Sequence, residues 1–167
     1  MKKTTKTIIY AIVAALLVVL DQVTKVMAQS ALKGNANAVV IKNVFELEYL
    51  ENTGAAFSSF LGKQGFLIGL TSLVLIGCII EFLRIPETKR FLGLRLSFLL
   101  LISGAIGNLI DRVKQGYVID FFYFVPVNFP RFNVADIYVT VSVVMLIILV
   151  LCVYKDSETE FLFKFKK

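Results

Sequence analysis

The residues of this chain best suited to chemistry are aspartates that stand where apolar stretches meet polar ones. They are Asp21, Asp111, Asp120 and Asp136. The sequence has no histidine, which excludes histidine-dependent triads and histidine-ligated zinc. Its two cysteines, Cys78 and Cys152, both lie in apolar stretches, so we expect neither a disulfide framework nor a thiolate nucleophile. Carboxylates therefore remain as the candidates for acid–base work.

Two carboxylates in one site of low dielectric constant cannot both ionise easily, so one pKa rises and the pair holds a proton in common. Such a pair can take a proton from water while it protonates a carbonyl oxygen or a leaving amine. This chemistry needs no metal and suits peptide bonds at a membrane surface. The spacing Asn-x-x-Asp occurs at Asn108–Asp111 and again at Asn133–Asp136, so each amide shares a helix face with a carboxylate. Spacing alone does not favour Asp120 over Asp111 as a reacting group.

Some of these residues also have a purely structural interpretation. Asp21 can pair with Lys25, which follows four residues later on the same helix face. Asp111 and Arg112 are adjacent and therefore do not face each other, whereas Asn108 shares a helix face with both. We expect Asp111 and Arg112 to hold the end of their helix through hydrogen bonds and ion pairing.

The elements that must position these side chains are predicted to span a membrane. The 167 residues are 57% hydrophobic and 18% charged, whereas soluble domains are about 45–50% apolar and about 25% charged. Four apolar stretches, extended by their flanking residues, predict spans at residues 7–28, 65–84, 92–112 and 133–154. No internal repeat or linker of low complexity is visible, so residues 1–167 are predicted to form a single integral membrane domain.

The basic residues predict how these spans are oriented. With the N-terminus in the cytoplasm, eleven lysines and arginines fall inside and seven fall outside, the direction that the positive-inside rule requires. Both termini are then cytoplasmic, and four aspartates gather near the outer face. Ionisable groups within spans are costly and indicate function.

The connections between spans carry further structure. Residues Val44–Phe57 begin with alternating apolar and acidic residues and continue into a turn at Asn52–Gly54, which predicts a small β-sheet on the outer membrane surface, over residues 38–60. The aromatic segment Gly116–Phe132 is interpreted as an outer connection at the membrane interface. The segment Phe161–Lys167 suits a basic amphipathic tail on the inner leaflet.

Five motifs then occur in one order along the chain. They are LDQVTK (Leu20–Lys25), NTGAAFS (Asn52–Ser58), GAIGNLIDR (Gly104–Arg112), VIDF (Val118–Phe121) and FNVAD (Phe132–Asp136). Through these motifs the sequence resembles the bacterial lipoprotein signal peptidases, or type II signal peptidases, over essentially its whole length. The resemblance implies an intramembrane aspartic endopeptidase in the bacterial cytoplasmic membrane, which cleaves prolipoproteins immediately before their lipid-modified cysteine.

The same resemblance implies a role for individual residues. Asp120 and Asp136 correspond to the catalytic dyad. The positions that shape and support the site or bind substrate are Asp21, Asn52, Gly54, Asn108, Asp111, Arg112 and Asn133. Ile137 stands where the family commonly has serine, and the segment from Asp120 to Asp136 is short.

The expected partners are lipid-modified prolipoprotein signal peptides and membrane lipid. We expect no nucleic acid, metal or other cofactor, and a monomeric protein.

Three other interpretations remain open at this point. A small ion- or proton-coupled membrane transporter also places acidic groups in spans, but usually near the midplane, whereas these lie near one face. A lipid-linked transferase that uses aspartate-bound magnesium would depend on the metal. A serine–lysine pair would use Ser58 and Lys63, which share the outer side.

Overall fold

The computed structural model of the protein describes residues 3–54, 63–155 and 157–159. The elements in chain order are α1 (Lys3–Leu32), β1 (Ala38–Ile41), β2 (Phe45–Asn52), α2 (Gln64–Arg84), α3 (Leu92–Gln115), β3 (Val118–Phe124) and α4 (Val134–Ile148). A π-helical turn over Leu149–Val153 continues α4. The predicted amphipathic tail, Phe161–Lys167, lies outside the described residues, as do residues 55–60 of the predicted β region.

Each of the four predicted spans is confirmed as a helix that is long and apolar enough to cross a membrane. α3 lies at the centre of the bundle, where it contacts α1, α2 and α4. In its most apolar stretch 44% of the residues are buried, against 6–11% in the other three helices. Those three helices expose large apolar side chains such as Leu16, Leu73 and Leu151, as expected of surfaces that face lipid. Several polar side chains on α3, Ser103 and Asp111 among them, are therefore buried between its neighbours.

The predicted small β-sheet is also confirmed, as three antiparallel strands in the order β1-β2-β3. The third strand was not expected, because Gly116–Phe132 had been interpreted as an aromatic connection. Its first four residues, Val118–Phe121, are all buried, so β3 lacks the alternation that marks a half-buried strand. Its pairing partner β2 lies far away in the sequence, with Leu50 opposite Asp120.

The chain enters β3 through a sharp turn at the end of α3. Gly116 adopts a left-handed conformation, with φ of 79°, and its N–H donates to the carbonyl oxygen of Arg112. Glycine takes this conformation without the steric cost of a side chain. The sheet then packs on the end of α1, where Ala28 and Leu32 form a core cluster with Ile119 and Phe121. We call this end of the bundle the sheet end.

Candidate active site

Asp120 is held on β3 at the sheet end, and its side chain is almost fully buried. The residue is 1% exposed. Both of its carboxylate oxygens accept an amide proton: Asn133 Nδ2 donates to Oδ1 over 2.7 Å, and Asn52 Nδ2 donates to Oδ2 over 2.8 Å. Asn52 itself ends β2, so the pairing of β2 with β3 brings this amide to the carboxylate. The sheet and the start of α4 together therefore fix the plane of the Asp120 carboxylate.

Asp136 lies in the first turn of α4, in a reciprocal capping arrangement with Asn133. The Asp136 N–H donates to Asn133 Oδ1 over 3.0 Å, and Asn133 N–H donates to Asp136 Oδ2 over 3.1 Å. A capping box of this kind satisfies two backbone donors that the start of a helix otherwise leaves open. The remaining oxygen, Oδ1, accepts from Asn108 Nδ2 over 2.8 Å. A helix N-terminus also favours a negative charge at this position.

The carboxylates of Asp120 and Asp136 line one cavity of about 810 Å³. The polar part of its wall includes Asn52, Asn108 and Arg112, and an apolar part is formed on α4 by Ile137 and Val141. Burial, together with the negative charge of Asp136, raises the pKa of Asp120 to about 7, although Asn52, Asn133 and the positive charge of Lys25 oppose the rise. A carboxyl group with this pKa can hold a proton near neutral pH while its neighbour is ionised.

Behind the cavity lies a buried ion cluster formed by Asp21, Lys25 and Asp111. The ammonium group of Lys25 is 2.9 Å from Asp21 Oδ2 and 2.9 Å from Asp111 Oδ2. The Lys25 side chain is 2% exposed and the Asp21 side chain is fully buried. The predicted pairing of Asp21 with Lys25 is thus confirmed, and the cluster extends to α3. Asp111 forms its ion pair with Lys25 rather than with the adjacent Arg112.

Arg112 connects α3 to the chain that follows β2. Its Nη2 donates to the carbonyl oxygen of Gly54 over 3.1 Å, and its Nη1 donates to the carbonyl oxygen of Asn108 over 3.5 Å. The Gly54 N–H in turn donates to Asn52 Oδ1 over 2.9 Å. This contact leaves the Asn52 amide nitrogen free to face Asp120. The structure therefore brings all nine residues proposed for the site into one connected arrangement.

Comparison with known proteins places this chain in a family. The family model described as "Signal peptidase (SPase) II" matches residues 13–152. The chain belongs to the signal peptidase II family. It is therefore a membrane peptidase of lipoprotein processing, as the sequence motifs predicted.

Relatives and solved structures agree with this membership. The lipoprotein signal peptidase of Clostridium tetani (strain Massachusetts / E88) is 45% identical over 143 residues, which cover 84% of this chain and 90% of that protein. The lipoprotein signal peptidase of Clostridium novyi (strain NT) is 42% identical over 137 residues, which cover 80% and 91%. A bacterial membrane enzyme solved by the in meso method at 2.3 Å resolution superposes with a TM-score of 0.78 at 32% identity, covering 95% of this chain and 93% of that chain.

Two residues of this candidate site were missed by sequence reasoning. Gln22 donates its amide to Asp21 Oδ2, to Asp111 Oδ1 and to the carbonyl oxygen of Gly107, over 3.0–3.2 Å. Lys25 was considered only as a partner of Asp21. The signal that could have revealed Lys25 is a lysine within an apolar span, since such a charge must find partners inside the bundle.

The remaining sequence observations concern Ile137, the serine–lysine pair and metal binding. Ile137 lines the cavity and is 39% exposed, so an apolar side chain stands directly after Asp136. Ser58, the proposed partner of Lys63 in a serine–lysine pair, lies outside the described residues. Within the described ranges, no three acidic or cysteine side chains are grouped so as to hold a metal ion.

Proposed function

We propose that this chain hydrolyses the peptide bond immediately before the lipid-modified cysteine of prolipoproteins, with Asp120 and Asp136 as an aspartic dyad. The observation that carries the proposal is that both carboxylates line one cavity while Asn133 donates to each of them. An asparagine shared in this way holds two like charges at a defined relative position. A buried and a half-buried carboxyl group so held bind one proton in common more easily than they ionise together.

The reaction follows from that shared proton. The ionised carboxylate takes a proton from water as the water oxygen attacks the scissile carbonyl carbon, and the protonated carboxyl gives its proton to the carbonyl oxygen. The resulting diol returns one hydroxyl proton to the carboxylate as the carbonyl reforms. The other carboxyl protonates the nitrogen as the C–N bond breaks, so the dyad again holds one proton. No covalent acyl-enzyme forms.

The position of the dyad fits a substrate that stays largely in the membrane. Asp136 stands in the first turn of α4 and Asp120 lies on the adjoining sheet, so the scissile bond would lie near a membrane surface. The excess of basic residues on the opposite side supports an outer location, with both termini in the cytoplasm. Acyl chains on the substrate cysteine can remain in lipid, which contributes about 0.8 kcal/mol per buried CH₂.

The other predicted site residues have supporting roles in this proposal. Asn52, Asn108 and Asn133 hold the carboxylates through amide donors. Gly54 and Arg112 hold the turn after β2 against α3. A monomer suffices for the reaction, since every group used comes from one chain.

The proposal is tested with the purified protein in lipid nanodiscs. A prolipoprotein precursor carrying a diacylglyceryl group on its cysteine is compared with the same precursor lacking the lipid, and mass spectrometry locates the cut. We expect cleavage directly before the modified cysteine and little turnover of the unmodified precursor. Equal rates for the two precursors, or a cut at another bond, would contradict the proposal.

A further inference from the structure

The ammonium group of Lys25 is fully engaged inside the protein. An ammonium carries three protons and accepts none. Lys25 Nζ lies 2.9 Å from each of three acceptors, which are Asp21 Oδ2, Asp111 Oδ2 and Asn108 Oδ1. The residue is 1% exposed, so these three groups replace its hydration. This geometry fixes the positions of the three acceptor oxygens relative to Lys25 Nζ.

Two of those acceptors hold the backbone directly beside the dyad. Asp21 Oδ1 accepts the N–H of Ala135, the residue before Asp136, over 2.9 Å. Asp111 Oδ2 accepts the N–H of Ile119, the residue before Asp120, over 3.3 Å. The start of α4 and the strand β3 are therefore anchored to two carboxylates that Lys25 bridges.

The third acceptor reaches the dyad through its side chain. Asn108 presents its oxygen to Lys25 and its amide nitrogen to Asp136 Oδ1, over 2.8 Å. A flipped amide would place its N–H groups against an ammonium and its oxygen against a carboxylate. Asn133 Nδ2 also donates to Asn108 Oδ1, over 3.1 Å, so Lys25 and Asn133 together determine which way this amide points.

We propose that Lys25 is a positioning residue for the reaction, which sets the relative position of Asp120 and Asp136 through the cluster of Asp21, Asp111 and Asn108. The inference rests on the proposed aspartic mechanism and adds to it a residue that is buried and does not line the cavity. The charged groups that face Asp120 are Asp136 on α4, Arg112 on α3 and Lys25 on α1. Loss of the Lys25 charge removes an influence that lowers the pKa of Asp120.

The first test is Lys25→Met, measured on the lipid-modified precursor in nanodiscs. Misplacement of catalytic groups by about 1 Å costs on the order of 100-fold in rate, so we expect kcat to fall by about that factor with KM little changed. We also expect the pH–rate profile to move to higher pH. Lys33→Met is the matched control, because Lys33 makes an exposed ion pair with Glu51 over 2.7 Å and has no contact with the cluster.

A second variant separates positioning from stability. Lys25→Met leaves two buried carboxylates without their cation, which destabilises the fold. Lys25→Met combined with Asp21→Asn restores the net charge of the cluster to that of the wild type, and the amide oxygen at position 21 can still accept from Ala135. kcat is measured at a temperature well below the melting temperature of each variant and is expressed per folded molecule. We expect the double variant to be more stable than the single variant and equally slow.

The outcomes distinguish this inference from the proposed function. If the double variant recovers the kcat of Lys33→Met, or if Lys25→Met keeps the wild-type pH profile, Lys25 has only a structural role and the inference is wrong. Asp120→Asn is assayed in parallel. Turnover by Asp120→Asn would overturn the aspartic mechanism itself. If Asp120→Asn is inactive and Lys25→Met is fully active, only the proposed role of Lys25 is overturned.

Discussion

Asn133 donates its side-chain amide to Oδ1 of Asp120 over 2.7 Å. The two residues are thirteen positions apart in the sequence, and they belong to different elements, the start of α4 and the strand β3. Because the same asparagine also caps α4 with Asp136, any movement of the helix start relative to the sheet changes both carboxylates. The catalytic proposal therefore depends on a junction between helix and sheet rather than on one element.

Replacing either dyad carboxylate by its amide should abolish cleavage. Asp120→Asn and Asp136→Asn each remove a group that can hold the shared proton, because an amide acts neither as the base nor as the acid. We expect both variants to fold, as removal of one of two like charges relieves repulsion. Cleavage of the lipid-modified precursor and the melting temperature are measured together. Glu46→Gln is the matched control, since Glu46 lies on β2 away from the cavity wall. Turnover by a folded dyad variant above trace contamination would refute the assignment.

The pH dependence of stability should report the buried carboxyl of Asp120. Its pKa is about 7 in the folded protein and about 3.9 in an unfolded chain. The folded state therefore binds more protons between these values, so its stability falls as the pH rises from about 4 to about 7.

Asp120→Asn removes this titration. As the pH rises, the free energy of unfolding of Asp120→Asn should increase relative to that of the wild type, by up to about 4 kcal/mol. Above about pH 8 this difference should become constant. Melting in detergent from pH 4 to pH 9 measures it, with Glu46→Gln for comparison. If the stability of Asp120→Asn and that of the wild type change in parallel with pH, Asp120 has the same pKa in the folded and the unfolded state, which contradicts the prediction.

Much of the fold was predictable because its signals are local. An apolar stretch of sufficient length specifies a spanning helix without reference to the rest of the chain, and the alternation that begins at Phe45 specified β2. β3 lacked such a signal, because Val118–Phe121 is buried on both faces and pairs with a strand far away in sequence. The sequence thus predicted a sheet but not the strand that carries Asp120.

The residues of the site were predictable by type, but their contacts were not. Spacing suggested that Asn108 would act beside Asp111 on the same helix face, whereas its amide crosses to Asp136 on α4. Lys25 joins Asp111 to Asp21 because α1 and α3 meet at one level. Contacts of this kind depend on how helices are rotated against one another, which no single helix determines.

Close packing between α3 and α4 should be sensitive to a single methyl group. A Cβ at Gly104 would lie 2.6 Å from the carbonyl oxygen of Ala135 and 2.8 Å from Val139 Cγ2. Overpacking of this kind costs about 1–3 kcal/mol, so we expect Gly104→Ala to lower the melting temperature. We also expect it to slow cleavage, because Asn108 follows one turn later.

Gly69→Ala on α2 is the matched control for this substitution. A Cβ there meets no heavy atom within 4 Å, and alanine is the better helix former. We expect unchanged or slightly higher stability and normal activity. Equal melting temperatures for the two variants would show that α3 and α4 can separate at no cost.

The activity should depend on pH in a bell-shaped manner and should not depend on a metal ion. A dyad that must hold one proton loses activity when both carboxyls are protonated and again when both are ionised, and the two limbs belong to the pair rather than to either residue. The Asp120 pKa of about 7 predicts that activity persists close to neutral pH. Both oxygens of Asp120 already accept amide protons, and Asp111 and Asp21 pair with the Lys25 ammonium, so these carboxylates are engaged without a metal ion. EDTA should therefore leave the rate unchanged, and serine- or thiol-directed reagents should not label the protein stoichiometrically. Activity that EDTA removes and that added magnesium or zinc restores would overturn the mechanism in favour of a metal-dependent one.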